Sequence, residues 1–375
     1  MIQNKMMLYV HIPFCVKKCA YCDFLSAPAS KEIWEAYTEA VLKEIAALKA
    51  EKDRMVSSLF FGGGTPSVIE AGQIGRILDA LRNKFLFSAD AEISMEANPG
   101  TLTGEKLDSY REHGINRISL GLQSAVNEEL KMLGRIHTYE EFQKSYQLVR
   151  KAGFSNVNVD LMFAIPEQTY ETWIHNLLTV ARLQPEHISA YSLIVEEGTP
   201  FYERRLNLPD EDTEYRMYED IAGILQPYGY RQYEISNYAR EGFACRHNMG
   251  YWDGTDYLGI GLGASSLYEG RRFSNTEDMQ TYLKCSGDLE NIREQVQVLS
   301  EQEKMQEFMF LGLRMTEGIS EKEFQKRFHI SLEEKYGKVL KKYQAMGFLE
   351  YGHGQWYFSR KGIHVSNQIL ADFLE

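Results

Sequence analysis

The sequence has little cysteine, little proline and no long apolar run. Its 375 residues include five cysteines and nine prolines, and no run reaches the roughly eighteen apolar residues that a membrane-spanning helix needs. The chain begins "MIQNKMMLYV", which lacks the basic segment, apolar run and cleavage site of a secretory signal. These absences argue against a membrane protein and a disulfide-rich secreted protein, so we expect a cytoplasmic location.

Positive charge is also scarce. The 41 Lys and Arg residues are outnumbered by 53 Asp and Glu residues, and the formal net charge is -12. Non-specific nucleic-acid binding relies on an excess of positive surface charge. We therefore expect no nucleic-acid partner.

The rest of the composition allows a large folded protein, since 44% of the residues are hydrophobic and 25% are charged. In the first half of the chain, short apolar runs alternate with longer amphipathic stretches. The strand-like runs are "MLYVHI", "SSLFFG", "AEISME", "RISLGL", "VNVDLMF" and "HISAYSLI". Six strand-then-helix units predict an α/β fold built on a parallel sheet.

Polar and small residues recur where the predicted strands end. In parallel barrels, functional side chains gather at this rim. The residues at or near these ends are Tyr9, Gly62, Gly63, Gly64, Glu96, Gln123, Asp160 and Ile194. The three glycines let the backbone approach a ligand closely, although a tight turn before Pro66 explains them as well.

Three of the five cysteines lie within the stretch "HIPFCVKKCAYCDF", at Cys15, Cys19 and Cys22. A disulfide set is one interpretation, but three thiols are an odd number to pair. A zinc site is another, with His11 as a fourth ligand. The third is a four-iron cluster held by three thiolates, which leaves one iron open to a small molecule.

The spacing C-x3-C-x2-C resembles the cluster motif of the radical S-adenosylmethionine (radical SAM) superfamily. The resemblance implies an open, partial (β/α)6 barrel in which Cys15, Cys19 and Cys22 hold a [4Fe-4S] cluster. It also implies that S-adenosylmethionine chelates the open iron. The residues that match cofactor-contact positions are Tyr9, Tyr21, Gly63, Gly64, Thr65, Glu96, Gln123, Arg135, Asp160 and Ile194.

A closer resemblance covers nearly the whole chain. The stretches "FFGGGTPS", "EANPGTL", "LGRIHT" and "VDLMFAIPEQT" are similar to the family that contains oxygen-independent coproporphyrinogen III oxidase and the radical SAM haem chaperone. The oxidase pattern has a further cysteine where this chain has Phe24, and a long N-terminal extension where only eight residues precede Tyr9. Both departures favour the chaperone over the decarboxylating oxidase.

A second motif, "HNMGYW", matches the His-Asn-x-x-Tyr-Trp signature of the chaperone at His247, Asn248, Tyr251 and Trp252. The resemblance implies a haem site in which the imidazole ligates iron and the aromatic rings cover the macrocycle. A hydrogen-bonded histidine beside packed aromatic rings is the alternative. Cys245 is a second candidate ligand.

The pattern changes near residue 299, where helical stretches lead to the hairpin "FLEYGHGQWYFS" and a final helix. We therefore divide the chain into a radical SAM barrel (1–215), a linking α/β region with the haem motif (216–298) and a smaller winged-helix-like domain (299–375). Positive and negative residues balance in the last domain, which favours a lid or docking surface over DNA binding.

The function predicted from the sequence is a haem chaperone that binds a [4Fe-4S] cluster, S-adenosylmethionine and haem. Its partners would be acceptor haemoproteins, with membrane-associated ones among the candidates, and it could form a homodimer. The alternatives are the oxidase and a zinc-stabilised regulator with a winged helix.

Overall fold

A sheet of twelve strands dominates the computed structural model, which describes residues 5–374 apart from the side chains of residues 51 and 52. Its centre consists of six consecutive parallel strands. They are β1 (Lys5–Ile12), β2 (Glu51–Gly63), β3 (Phe85–Ala97), β4 (Arg117–Gln123), β5 (Val157–Phe163) and β6 (His187–Ser192). The six parallel strands predicted from the sequence are thus confirmed, and they form an open (β/α)6 barrel.

Seven α-helices follow the barrel strands, and all but the fourth contribute buried apolar residues to the core beside the sheet. They are α1 (Lys31–Ala47), α2 (Ala71–Lys84), α3 (Gly104–Glu112), α4 (Asn127–Met132), α5 (Tyr139–Lys151), α6 (Tyr170–Leu183) and α7 (Glu211–Leu225). In α5 the buried residues Phe142, Tyr146 and Val149 recur at helical spacing. Thr138 and Glu141 form a capping box that fixes where this helix begins.

Residues beyond the six units extend the same sheet at both edges. On the β6 side lie β7 (Arg231–Glu234) and β8 (Asn237–Ala239), and on the β1 side lie β9 (Tyr257–Ile260), β10 (Ser265–Tyr268), β11 (Arg271–Asn275) and β12 (Arg293–Val298). Three short helices accompany them: α8 (Arg246–Trp252), α9 (Met279–Cys285) and α10 (Leu289–Ile292). The stretch 216–298, expected to link two domains, therefore belongs to the barrel sheet itself.

The C-terminal domain has its own small sheet and its own core. Its elements are α11 (Glu301–Gly312), β13 (Ile319–Ser320), α12 (Glu321–Phe328), α13 (Leu332–Ala345), β14 (Leu349–Gly352), β15 (Gln355–Phe358), α14 (Arg360–His364) and α15 (Ser366–Ala371). Phe324, Leu340 and Phe373 are fully buried in this core. The predicted helices and hairpin are confirmed, whereas two short helices replace the single final helix.

The inside of the barrel is unusually polar. Buried polar side chains lie near the starts of β4, β5 and β6 and midway along β2 and β3; they are Arg117, Asn158, His187, Ser58 and Glu92. They are tied together by hydrogen bonds such as the 2.6 Å contact between His187 Nδ1 and Asn158 Oδ1. Such a layer explains why these strands do not read as continuous apolar runs.

No helix within residues 5–374 combines the length and the apolar character needed to cross a membrane.

Candidate cofactor-binding site

A cavity of about 370 Å³ opens at the carboxyl ends of the barrel strands. It gathers residues from loops that are far apart in sequence. Of the cofactor and metal residues predicted from the sequence, those lining it are Cys15, Cys19, Tyr21, Cys22, Gly63, Gly64, Thr65, Glu96, Gln123, Arg135, Asp160 and Ile194. Tyr9 does not line the cavity. Its hydroxyl contacts His11 Nδ1 at 3.0 Å inside the barrel.

The cysteine loop is held at its base and at its tip by backbone hydrogen bonds. At the base, the Cys15 N–H donates to Ala27 O and the Ala27 N–H donates to Pro13 O, at 3.2 and 2.9 Å. At the tip, the Ala20 N–H donates to Leu133 O, and Ala20 O accepts from the Phe201 N–H. The loop is therefore closed at its base and bonded at its tip to the segments around Leu133 and Phe201.

Gly63 and Gly64 let two loops pass in close contact. Gly63 has a φ of +111°, and a Cβ there would lie 2.5 Å from the His11 ring. A Cβ on Gly64 would lie 2.7 Å from the backbone oxygen of Phe14. Contacts this short exclude any side chain, so the glycines serve this close approach as well as the cavity wall.

Two acidic side chains form the inner wall of the cavity. Glu96 Oε2 accepts from the Gly63 N–H at 3.2 Å. Asp160 accepts from Asn158 Nδ2 at 2.7 Å and from the Ser119 hydroxyl at 3.1 Å. Burial, reinforced by the nearby Asp160 charge, raises the pKa of Glu96 to about 8. Burial also raises the pKa of Asp160.

Arg135 connects the cysteine loop to the strand ends. Its guanidinium donates to Asn98 Oδ1 and to Gly121 O, both at 2.7 Å, and to Cys19 Sγ at 3.5 Å. Arg135 thus faces both the cluster loop and the cavity.

The donor set fits a cluster and S-adenosylmethionine. Three free thiols line one cavity beside an arginine and two carboxyl groups. Gln123, held at a φ of 72°, has a buried side-chain oxygen with no hydrogen-bond partner among the described residues. A buried acceptor without a partner is costly, and a ligand with donor groups would satisfy it.

The haem motif lies elsewhere, on α8 at the opposite, amino-terminal end of the barrel strands. His247 is 1% exposed. Its Nδ1 contacts the Ser58 hydroxyl at 2.9 Å, its Nε2 contacts the Tyr251 hydroxyl at 3.1 Å, and its ring stacks on Phe60. Burial, with the nearby Arg117 charge, lowers the pKa of His247 to about 3, so the imidazole is neutral.

His247, the axial ligand expected from the sequence, is therefore buried and hydrogen-bonded within the protein in this structure. Both of its ring nitrogens are engaged, and iron ligation would require one of these contacts to break. Cys245, the second candidate, is fully buried, and its thiol contacts Glu92 Oε1 at 3.4 Å. Asn248, Tyr251 and Trp252 are partly exposed.

Several polar residues of the cofactor cavity were missed by sequence reasoning, and Asn98, Ser119 and Tyr191 are among them. Asn98 joins two predicted residues, since its Nδ2 donates to Thr65 Oγ1 at 2.8 Å and its Oδ1 accepts from Arg135. It lies two positions after Glu96 in "EANPG", just past the end of β3. Polar residues at the carboxyl ends of parallel strands share one rim, and this reasoning identifies Asn98 as well as Glu96.

Comparison with known proteins gives the family. Residues 9–180 match the model of the radical SAM superfamily, and residues 299–365 match that of the HemN C-terminal domain. The heme chaperone HemW of Lactococcus lactis is 37% identical, with 100% of this chain and 98% of the relative covered. The heme chaperone HemW of Bacillus subtilis is 34% identical, with 98% of each covered.

Among solved structures, coproporphyrinogen III oxidase (HemN) from Escherichia coli, described as a radical SAM enzyme, matches with a TM-score of 0.86. The match covers 100% of this chain and 91% of that one at 24% identity, so the likeness shows the fold alone. The sequence identities carry the assignment further: the chain belongs to the radical SAM superfamily and, within it, to the family of proteins named heme chaperone HemW.

Proposed function

We propose that this protein binds a [4Fe-4S] cluster, S-adenosylmethionine and haem, and passes haem to acceptor haemoproteins in the cytoplasm or on a membrane. The proposal that the cluster and S-adenosylmethionine bind here rests on one observation. Three free thiols, Arg135 and the carboxyl groups of Glu96 and Asp160 line the same cavity. The haem part rests on relatives that are named heme chaperones and match over nearly the whole chain.

The thiolates of Cys15, Cys19 and Cys22 would hold the cluster, leaving one iron for the amino and carboxylate groups of S-adenosylmethionine. When bound, the pair can supply one-electron chemistry. Arg135 would pair with an anionic group of the cofactor, because a guanidinium suits a carboxylate. Gly63, Gly64 and Thr65 would leave room along the backbone, and Tyr21 and Ile194 would border the cofactor.

The protonation state of Glu96 is part of this proposal. Its raised pKa means that the carboxyl holds a proton at neutral pH before ligands arrive. Loss of that proton on binding would place a negative charge beside the positively charged sulfonium of S-adenosylmethionine. Glu96, Gln123 and Asp160 together would orient the polar part of the cofactor.

For haem, we propose that the motif residues His247, Asn248, Tyr251 and Trp252 form one side of the site. The neutral imidazole of His247 fixes α8 to the barrel through Ser58 and Phe60. This anchoring holds Trp252, the last residue of α8, where the helix faces the C-terminal domain.

The test is an anaerobic comparison on reconstituted full-length protein. The proposal expects iron with acid-labile sulfide, saturable S-adenosylmethionine binding and saturable haem binding, without carbon dioxide release from coproporphyrinogen III. Haem transfer is measured by adding an apo-haemoprotein and following its absorption spectrum. Zinc in place of iron would refute the cofactor assignment, and release of carbon dioxide would instead support the oxidase.

A further inference from the structure

A second, larger cavity lies between the barrel and the C-terminal domain. It measures about 770 Å³, within the range of roughly 300–1,000 Å³ typical of small-molecule sites. One wall is formed by Trp252 and the loop that follows α8, and the other by residues of α11, β13 and α12. We call this cavity the interdomain cleft. It lies at the amino-terminal end of the barrel strands, away from the cysteine loop.

Aromatic rings from both walls meet at the cleft. Trp252 comes from the barrel, and Phe308 comes from α11 of the C-terminal domain. The indole N–H of Trp252 is buried and has no hydrogen-bond partner among the described residues. The Arg314 guanidinium lies over the Trp252 ring, 4.7 Å from its centre, so the indole can offer its opposite face to a planar aromatic ligand.

Among the described residues of the cleft, one of the two arginines forms no salt bridge. Arg54 is paired with Asp256 at 2.8 Å, and Lys326 lies 3.4 Å from Glu323. The exposed Arg327 donates to the backbone oxygen of Asp253 at 3.3 Å, lies over the ring of Phe328, and forms no salt bridge within residues 5–374. The carboxylates of Asp253 and Glu317 also line the cleft.

The Arg327 contact spans the cleft from the C-terminal domain to the barrel. A guanidinium in this position can exchange a weak carbonyl contact for a charge-assisted bond to a ligand carboxylate. The site is therefore suited to a planar ligand with acidic substituents.

His329 adds an imidazole, a common metal-binding group, to the cleft. It follows α12 in a left-handed conformation with a φ of 58°, and it lines the cleft with an exposed side chain. Within residues 5–374 its imidazole has no hydrogen-bond partner. This is the opposite of His247, which is buried with both ring nitrogens engaged.

We propose that haem binds in the interdomain cleft, with His329 as the axial ligand to iron, Trp252 against the macrocycle and Arg327 on a propionate. The inference rests on the proposed haem-binding function and assigns it a different iron ligand from the one the motif implies. In this arrangement His247 is a positioning residue that holds α8, and both domains contribute to the site.

The test is titration of the full chain with ferric haem, followed by the position of the Soret band and by Kd. His329→Asn removes the ligand while keeping a residue that tolerates a positive φ. His353→Asn is the matched control, because His353 is exposed in the same domain and also has a positive φ, 54°. We expect His329→Asn to shift the Soret band and raise Kd roughly tenfold or more, and His353→Asn to match the wild type.

Arg327→Gln tests the propionate contact separately. It should weaken haem binding roughly two- to fivefold, and the difference should vanish with haem dimethyl ester, which lacks the carboxylates. A wild type that binds no haem would refute the proposed function and this site together. A wild type that binds haem, with unchanged binding in His329→Asn and a lost Soret band in His247→Ala, would overturn the cleft alone.

Discussion

Glu96 gives a pH dependence that can be worked out from the structure. Its pKa is raised from 4.5 to about 8 by burial and by the neighbouring Asp160. Between these two values the folded state binds the proton more tightly than the unfolded state. Stability from this group is therefore fully present below pH 4.5 and is lost as the pH rises through about 8.

The size of the effect follows from the two pKa values. Each unit of pKa difference corresponds to about 1.4 kcal/mol. Between about pH 6 and pH 9 the folded protein should lose up to about 3 kcal/mol through Glu96, since up to about pH 8 the folded state holds a proton that the unfolded state has released. Glu96→Gln removes this loss, because the amide keeps the shape of the side chain and does not ionise.

The measurement is the thermal unfolding midpoint of cluster-free protein across this pH range. We expect Glu96→Gln to be more stable than the wild type near the alkaline end, by roughly 2–6 °C, with a smaller difference near the acidic end. Glu112→Gln is the control, because Glu112 is exposed at the end of α3. Parallel pH profiles for Glu96→Gln and the wild type would refute the assignment of a buried, protonated carboxyl at this position.

Two further predictions concern the cofactor cavity. Alanine at Cys15, Cys19 or Cys22 should abolish the visible absorbance and labile iron of the reconstituted protein, whereas Cys245→Ala and Cys285→Ala should retain both. Loss of the cluster in either distal variant would contradict the three-thiol assignment. Arg135→Ala should weaken S-adenosylmethionine binding by about ten- to a hundredfold, the effect of losing about 1.5–3 kcal/mol of charge-assisted contact, as measured by equilibrium binding. Arg182→Ala, at an exposed position of α6, should leave the affinity unchanged, and equal affinities for both variants would remove Arg135 from the site.

The sequence predicted the centre of the fold because its signals there are local. Strands such as β4 and β5 are short segments rich in apolar residues and each is followed by a helix, and a parallel arrangement follows from that alternation. The cavity residues followed from the same reasoning, since strand ends in a parallel sheet share one edge.

The edge strands could not be predicted in this way. β7 and β8 are only four and three residues long, and β12 is almost entirely exposed. Strands this short and this exposed carry no clear alternation of apolar and polar residues. Their places in the sheet depend on partners distant in sequence, such as the pairing of β9 with β1.

The role of His247 could not be predicted from the sequence either, because it depends on the residues that contact its side chain in the folded protein. Ser58 and Phe60 come from β2, almost two hundred residues earlier in the chain. The polar residues within the strands are the one feature of the sequence that could have indicated this role. Arg117 and Asn158 interrupt apolar runs at positions that face the barrel interior, where a polar partner such as a histidine would be expected.

The backbone bonds that hold the cysteine loop have a consequence for how the protein matures. The bonds at Ala20 and Ala27 join protein groups and use no metal, so they offset part of the entropy of closing this loop. Cluster binding then requires less ordering of the loop, which is the usual effect of preorganisation. The same bonds should limit how far the three cysteines separate when the cluster is lost, because Ala20 lies between Cys19 and Cys22 and is bonded to two neighbouring loops.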